Sequence, residues 1–199
     1  QTKYLTELAQ LEVKLGRWDE ALNAGRELLA AAPSNRESYV FFADLCMQLG
    51  NVDEGLNTLR RAVRVNPGDT KALTTLAEAL AREFRTEEAI ELFWRAFERT
   101  PELDSRLAVI DRLTDLHLQR NQFDRLVARL ERAQREAKQP REMAICLAQA
   151  YQSAGDFGTA RAALGELLAA AQRDTVLLRQ LVNLAESDHD LTAAAKYQE

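Results

Sequence analysis

The sequence predicts an all-α chain, a right-handed α-solenoid (superhelix) of stacked antiparallel helix hairpins, on three observations. Ala and Leu, two strong helix formers, number 32 and 31 of the 199 residues. Breakers are scarce, with 8 Gly and 4 Pro in the whole chain, fewer than a loop-rich β fold needs. Those breakers recur on a fixed period: Pro33, Pro67 and Pro101 are spaced 34 and 34. Proline cannot continue a helical hydrogen-bond ladder, so each should end an apolar, Ala-rich helix.

The elements follow in order within each repeat. A large apolar column runs through the first helix at Leu8, Phe42, Leu76, Leu113, Leu147 and Leu181. Gly16, Gly50, Phe84, Asn121, Gly155 and His189 mark where that helix stops and the chain reverses. Gly and Asn suit this position because they tolerate positive φ. Trp18, Val52, Thr86, Phe123, Phe157 and Leu191 then open the second helix, five of them apolar. Three residues later comes a mostly small column of Ala21, Gly55, Ala89, Leu126, Ala160 and Ala194, spaced 34, 34, 37, 34 and 34. Small side chains there let two helices approach closely. Gly25, Leu59, Phe93, Leu130 and Leu164 supply the inward groups further along, with Gly25 the weak member. A single hairpin cannot bury both of its faces, whereas stacked neighbours bury them in turn.

These columns resemble the tetratricopeptide repeat family, whose 34-residue pattern runs W-x2-L-G-x2-Y, then Ala, Phe and Pro. The third repeat carries Leu73, Leu76, Ala77, Leu80, Ala89, Phe93, Ala96 and Pro101, and the fifth carries Leu147, Ala148, Tyr151, Gly155 and Ala160. The expected organisation is one repeat domain over 1–199, with units at about 2–35, 36–69, 70–106, 107–140, 141–174 and an incomplete 175–199. Three departures stand out: Leu126 in the small column, and Lys138 and Gln172 where earlier repeats have Pro. The 37-residue step places three extra residues in or just before the fourth repeat's first helix. The sixth repeat stops nine residues after Asp190, so a longer protein, or a partner on the last helix, is expected.

Composition narrows the function. A net charge of -5 and a pI near 5.3 lack the basic footprint of nucleic-acid binding. No apolar run approaches the roughly 20 residues that span a bilayer, so no membrane contact by this segment is expected. Cys46 and Cys146 lie 100 residues apart without metal-ligand spacing and read as reduced packing residues. His117 shares a column with Cys46, Leu80, Tyr151 and Ala185 and reads as a packing histidine; His189 reads as a solvated turn residue. No catalytic residue, metal ligand or cofactor site is expected.

The resemblance implies that first helices line a concave groove and carry the ligand contacts. One presumed groove column reads Gln10, Asp44, Glu78, Asp115, Gln149 and Asn183, all polar and acidic at the centre. Asp111 lies four residues before Asp115, a like-charge spacing that costs roughly 0.2–0.5 kcal/mol, as suits a site for a cationic segment. Arg112, Lys71 and Arg82 partly offset the acids. Val40, Phe41 and Met47 place apolar groups beside them. The column reads equally as a solvated helix face, and the three apolar residues equally as core. The family's groove for a peptide C-terminal carboxylate is disfavoured, since only Lys71 agrees among Thr6, Gln10, Phe41, Lys71 and Thr75. The Asn ladder of repeats attached to sugar-transferring enzymes is missing, the column reading Phe41, Thr75, Arg112, Cys146 and Gln180.

The expected function is a non-catalytic protein-interaction scaffold, binding a peptide or protein segment with basic and apolar residues. The alternatives are self-association as a homo-oligomer, or intramolecular docking, through the open C-terminal unit with Leu177, Leu178 and Leu181. A substrate-recruiting arm of a larger enzyme or secretion/assembly protein is the remaining reading.

Overall fold

A computed structural model describes residues 2–136, 140–170 and 174–198, the side chains of Ala170, Leu191 and Gln198 aside. Lys138 and Gln172 lie outside the described residues. Among those described there are twelve helices and no strand. The helices are α1 (Thr2–Lys14), α2 (Trp18–Ala31), α3 (Arg36–Gln48), α4 (Val52–Val65), α5 (Thr70–Arg82) and α6 (Thr86–Arg99). Then follow α7 (Leu103–Gln119), α8 (Phe123–Glu136), α9 (Pro140–Ser153), α10 (Phe157–Ala170), α11 (Thr175–Ser187) and α12 (Leu191–Gln198). They gather into two compact units, Gln1–Arg99 and Thr100–Glu199. The all-α fold of stacked hairpins read from the sequence is the fold observed in each.

In the first unit, α1 packs on α2, α3 on α4 and α5 on α6, and each hairpin packs on the next through α2 with α3 and α4 with α5. Every second helix starts at its expected opening residue, and Pro33 and Pro67 stand two residues beyond the ends of α2 and α4. The reversals occur where the turn column places them. Gly16, Gly50 and Phe84 have φ of 70°, 78° and 58°. The N–H groups of Arg17, Asn51 and Arg85 reach back to the carbonyls of Glu12, Cys46 and Leu80 at 2.8–2.9 Å, satisfying carbonyls the helix leaves open. Phe84 adopts this left-handed conformation without the freedom of glycine, and the residue is 92% exposed, so little packing offsets the strain of about 1–2 kcal/mol.

The small column marks the closest approaches. A Cβ at Gly55 would stand 2.9 Å from the carbonyl oxygen of Ala43. Gly25, weak as a core residue, is explained by its neighbour: a Cβ there would meet the Phe42 ring at 2.5 Å. The glycine makes room for the largest member of the facing column. Asn35 and Asp69 cap α3 and α5, accepting from the N–H groups of Glu37 and Ala72, each worth about 1 kcal/mol. Arg36 of α3 also reaches Asp69 at 3.2 Å, while Arg26 to Glu54 (3.3 Å) and Arg60 to Glu88 (3.4 Å) join successive second helices.

The second unit keeps the plan with one enlarged element. α7 has 17 residues, against 13 in α1, α3 and α5, and the connection before it is one residue shorter than those before α3 and α5, so the three extra residues lengthen the fourth repeat's first helix, as expected. Asn121, Gly155 and His189 take φ of 54°, 82° and 57°. Leu126 is fully buried at a position where other repeats need Ala or Gly. Asp174 caps α11, accepting from Val176 and Leu177, and pairs with Arg141 of α9. Arg161 holds Asp188 and Asp190 around the exposed His189 turn, at 2.7 and 3.3 Å.

His117 is buried, as are both cysteines. Burial pushes each thiol up to about 11, far from the low values of reactive thiolates. One expectation is corrected: Leu177 and Leu181 are fully buried, because α11 packs on α9 and α10. They belong to the core and present no apolar face to a partner.

Candidate functional site

In the first unit, α3 and α5 carry the acidic part of the polar column. Gln10 on α1 and Asp44 on α3 are exposed, and Glu78 on α5 is half-buried. Partial burial of the Asp44 carboxyl raises its pKa above the ordinary 3.8, and Arg82 of α5 pulls in the opposite direction. The protein thus holds a carboxylate that loses hydration without gaining a full counter-charge. Val40 and Phe41 are half-buried beside it on α3. Met47 turns toward α4 instead, where its Cγ would stand 2.7 Å from a Cβ at Gly55. Lys71 is exposed in the first turn of α5, and its carbonyl accepts from the hydroxyls of Thr74 and Thr75.

In the second unit an acid one turn before the column is taken up. Asp111 on α7 is half-buried and accepts from Gln149 Nε2 at 2.7 Å and Ser153 Oγ at 2.5 Å, both on α9. Arg179 of α11 donates to Asp104 of α7 at 2.6 Å, across 75 residues of sequence. Asp104, Asp111, Gln149 and Arg179 line a crevice of about 380 Å³ with Leu107, Gln180 and Asn183. Asp111, Gln149 and Asn183 are therefore brought together, whereas Arg112 and Asp115 are exposed on α7 outside that lining. Asp104, Ser153 and Arg179 were not singled out from sequence. Their signals were present: Ser153 and Arg179 lie four residues from Gln149 and Asn183 on the same helix faces, and Asp104 sits in the enlarged first turn of α7.

A further crevice of about 700 Å³ lies in the first unit, with Val63, Leu76, Leu80 and Leu92 as apolar lining and Arg64 and Glu91 among its charged residues. Reading only first helices missed it. Among the described residues no three His, Cys, Asp or Glu side chains converge as a metal site would require. No helix of the described residues is long and apolar enough to cross a membrane.

Antiparallel hairpins with small crossing residues, left-handed reversals and a 34-residue register define each unit as a helical-repeat solenoid. Residues 12–80 match the tetratricopeptide repeat family model. The tetratricopeptide repeat character read from the columns is thereby shown, directly over those residues and as the fold over the rest of the chain.

No curated protein matches the sequence. Among solved structures, pilF of Pseudomonas aeruginosa aligns with a TM-score of 0.51 at 18% identity, covering 98% of this chain and 88% of that one. A tetratricopeptide repeat protein from Parabacteroides merdae ATCC 43184 aligns at 0.52 and 14% identity, covering 98% and 77%. PilW, described as a widely conserved type IV pilus biogenesis factor, aligns at 0.50 and 19%, covering 98% and 90%. At these identities the likeness is one of fold. Tetratricopeptide repeats are in general non-catalytic modules that bind protein partners.

Proposed function

We infer that this chain is a non-catalytic scaffold whose first-helix face in the first unit binds a protein segment carrying basic and apolar residues. The observation that carries this reading is Asp44, an exposed yet partly dehydrated carboxylate, one repeat from Glu78 and beside half-buried Val40 and Phe41. A Lys or Arg on the ligand restores the charge compensation that Arg82 supplies only in part, while an apolar side chain covers Phe41. Direct contact is required, because exposed charges more than about 8–10 Å apart are screened at physiological salt. Asp111, Asp115, Gln149 and Asn183 contribute a secondary polar surface on the second unit.

A panel of peptides varied in Lys/Arg and aromatic content, followed by fluorescence anisotropy across a salt series, tests the idea. Asp44→Asn with Glu78→Gln should weaken the best basic-apolar peptide about ten-fold, equivalent to ~1.4 kcal/mol, and flatten the salt dependence. Unchanged affinity in a variant with native circular dichroism would sink the reading.

A further inference from the structure

α1 has two apolar faces. Leu5 and Ala9 are buried against α2, as the repeat register requires. The other face is bare: Tyr4 is 65% and Leu11 51% exposed, as is Leu15 at 54%, one residue past the helix end with its N–H still on the Leu11 carbonyl, and Leu8 is half-buried among them. The same columns are buried in later repeats. Ser38, Ala72 and Met143 stand in the column of Tyr4, and Leu45, Ala79 and Ala150 in that of Leu11. They are covered because α3 packs on α2, α5 on α4 and α9 on α8. α1 therefore presents a surface of the kind that elsewhere in this fold receives one more helix.

The sequence of that face selects the occupant. Tyr4, Leu8, Leu11 and Leu15 are spaced four, three and four, the seam of a coiled coil. Laid antiparallel on itself about its midpoint, the stripe is self-complementary. Leu8 faces Leu11 of the partner subunit, Tyr4 faces Leu15 of the partner subunit, and both pairings repeat across the two-fold axis. Glu7 and Lys14, exposed on the flank of the stripe, then fall opposite one another twice. Glu7 is 3.9 Å from Lys3 on its own helix, an exposed pair that competes only weakly. Acidic and basic groups thus match where two copies of the same helix meet, as a closed isologous contact requires.

We propose that this face is covered by a second copy of the chain, through antiparallel pairing of α1 with α1. A helix pair is small beside the ≈ 1,200 Å² or more of stable interfaces, so the dimer is weak and reversible.

Analytical ultracentrifugation of the 199-residue chain from low micromolar to near-millimolar concentration tests the proposal, with native circular dichroism required of every variant. The chain should shift from monomer to dimer across that range. Leu11→Asp, at an exposed position, should hold it monomeric throughout. Glu7→Lys and Lys14→Glu should each weaken the dimer several-fold, and the double swap should restore it. A chain monomeric at every concentration overturns the proposal and leaves the face to a helix from elsewhere. Dimerisation that survives Leu11→Asp, or a swap that fails to restore, overturns it equally.

Discussion

The first-helix faces of the two units both carry acids, open at Asp44 and Asp115 and taken up at Asp111 and Asp104. In the first unit Asp44 stays exposed, with its carboxyl raised by partial burial and only Arg82 to counter it. In the second unit Asp111 is taken up by Gln149 and Ser153, and Asp104 by Arg179. The same residue type at neighbouring places in a repeat is a candidate binding group in one unit and a structural tie in the other. For Asp104 the cause is the enlarged α7, whose additional turn carries Asp104 and Arg106 at its start. Arg106 reaches Glu142 at 3.2 Å and Asp104 reaches Arg179, tying α7 to both α9 and α11. A polar column in a repeat protein therefore identifies a face, and the neighbouring helices decide whether that face remains open.

The largest test of the contrast concerns the small column. Leu126→Ala should open a cavity in the second unit and lower its unfolding free energy by about 2–5 kcal/mol. Urea titration with hydrogen exchange should show the loss confined to amides of 100–199, and a loss within error would mean that α7 and α8 tolerate the usual close crossing. Gly55→Ala asks the reverse in the first unit, where the added methyl meets the Ala43 carbonyl at 2.9 Å. About 1–3 kcal/mol of overpacking is expected there, and a neutral result would show that α3 and α4 can separate.

Next in size are the turns. Phe84→Gly should stabilise the first unit by about 1 kcal/mol, because an exposed left-handed phenylalanine gives up strain to glycine. Gly16→Ala at φ 70° should cost a similar amount, and thermal melts of the pair should move in opposite directions. A loss of stability in Phe84→Gly would mean that the ring is held by contacts the fold does not show.

The smallest effects are in titration and have opposite signs in the two units. Asp44 is raised above 3.8, so the stability it contributes is complete below 3.8 and is lost as pH rises through its folded value. Asp174 is lowered: desolvation alone would raise it, but the Leu177 and Val176 N–H groups and Arg141 outweigh that. Its contribution is present above 3.8 and disappears as pH falls through its folded value. Carboxyl carbon NMR titrations should place Asp44 above Asp174. The reverse order would remove the distinction between an open acid and a capping one.

Much of the architecture was legible from period alone. All six second helices open at the residues of one column, all six reversals carry positive φ, and the 37-residue step becomes a longer α7. Period succeeds because helix geometry converts spacing directly into a face, and because glycine, asparagine and proline act on their own backbone. What a face touches was less legible. Phe84 was the turn residue with no local chemistry to announce it, and Met47 turned into the gap left by Gly55.

By itself the sequence determined the hairpins, their register, the close crossings and the reversals, since each depends on residues within one repeat. The tertiary structure alone decided which acids are taken up, why Gly25 suits a facing Phe42, that Leu177 and Leu181 are core, and that Tyr4 and Leu11 are bare. Those outcomes depend on side chains that meet between neighbouring repeats, where a change of an ångström in helix separation converts a hydrogen bond into solvent contact.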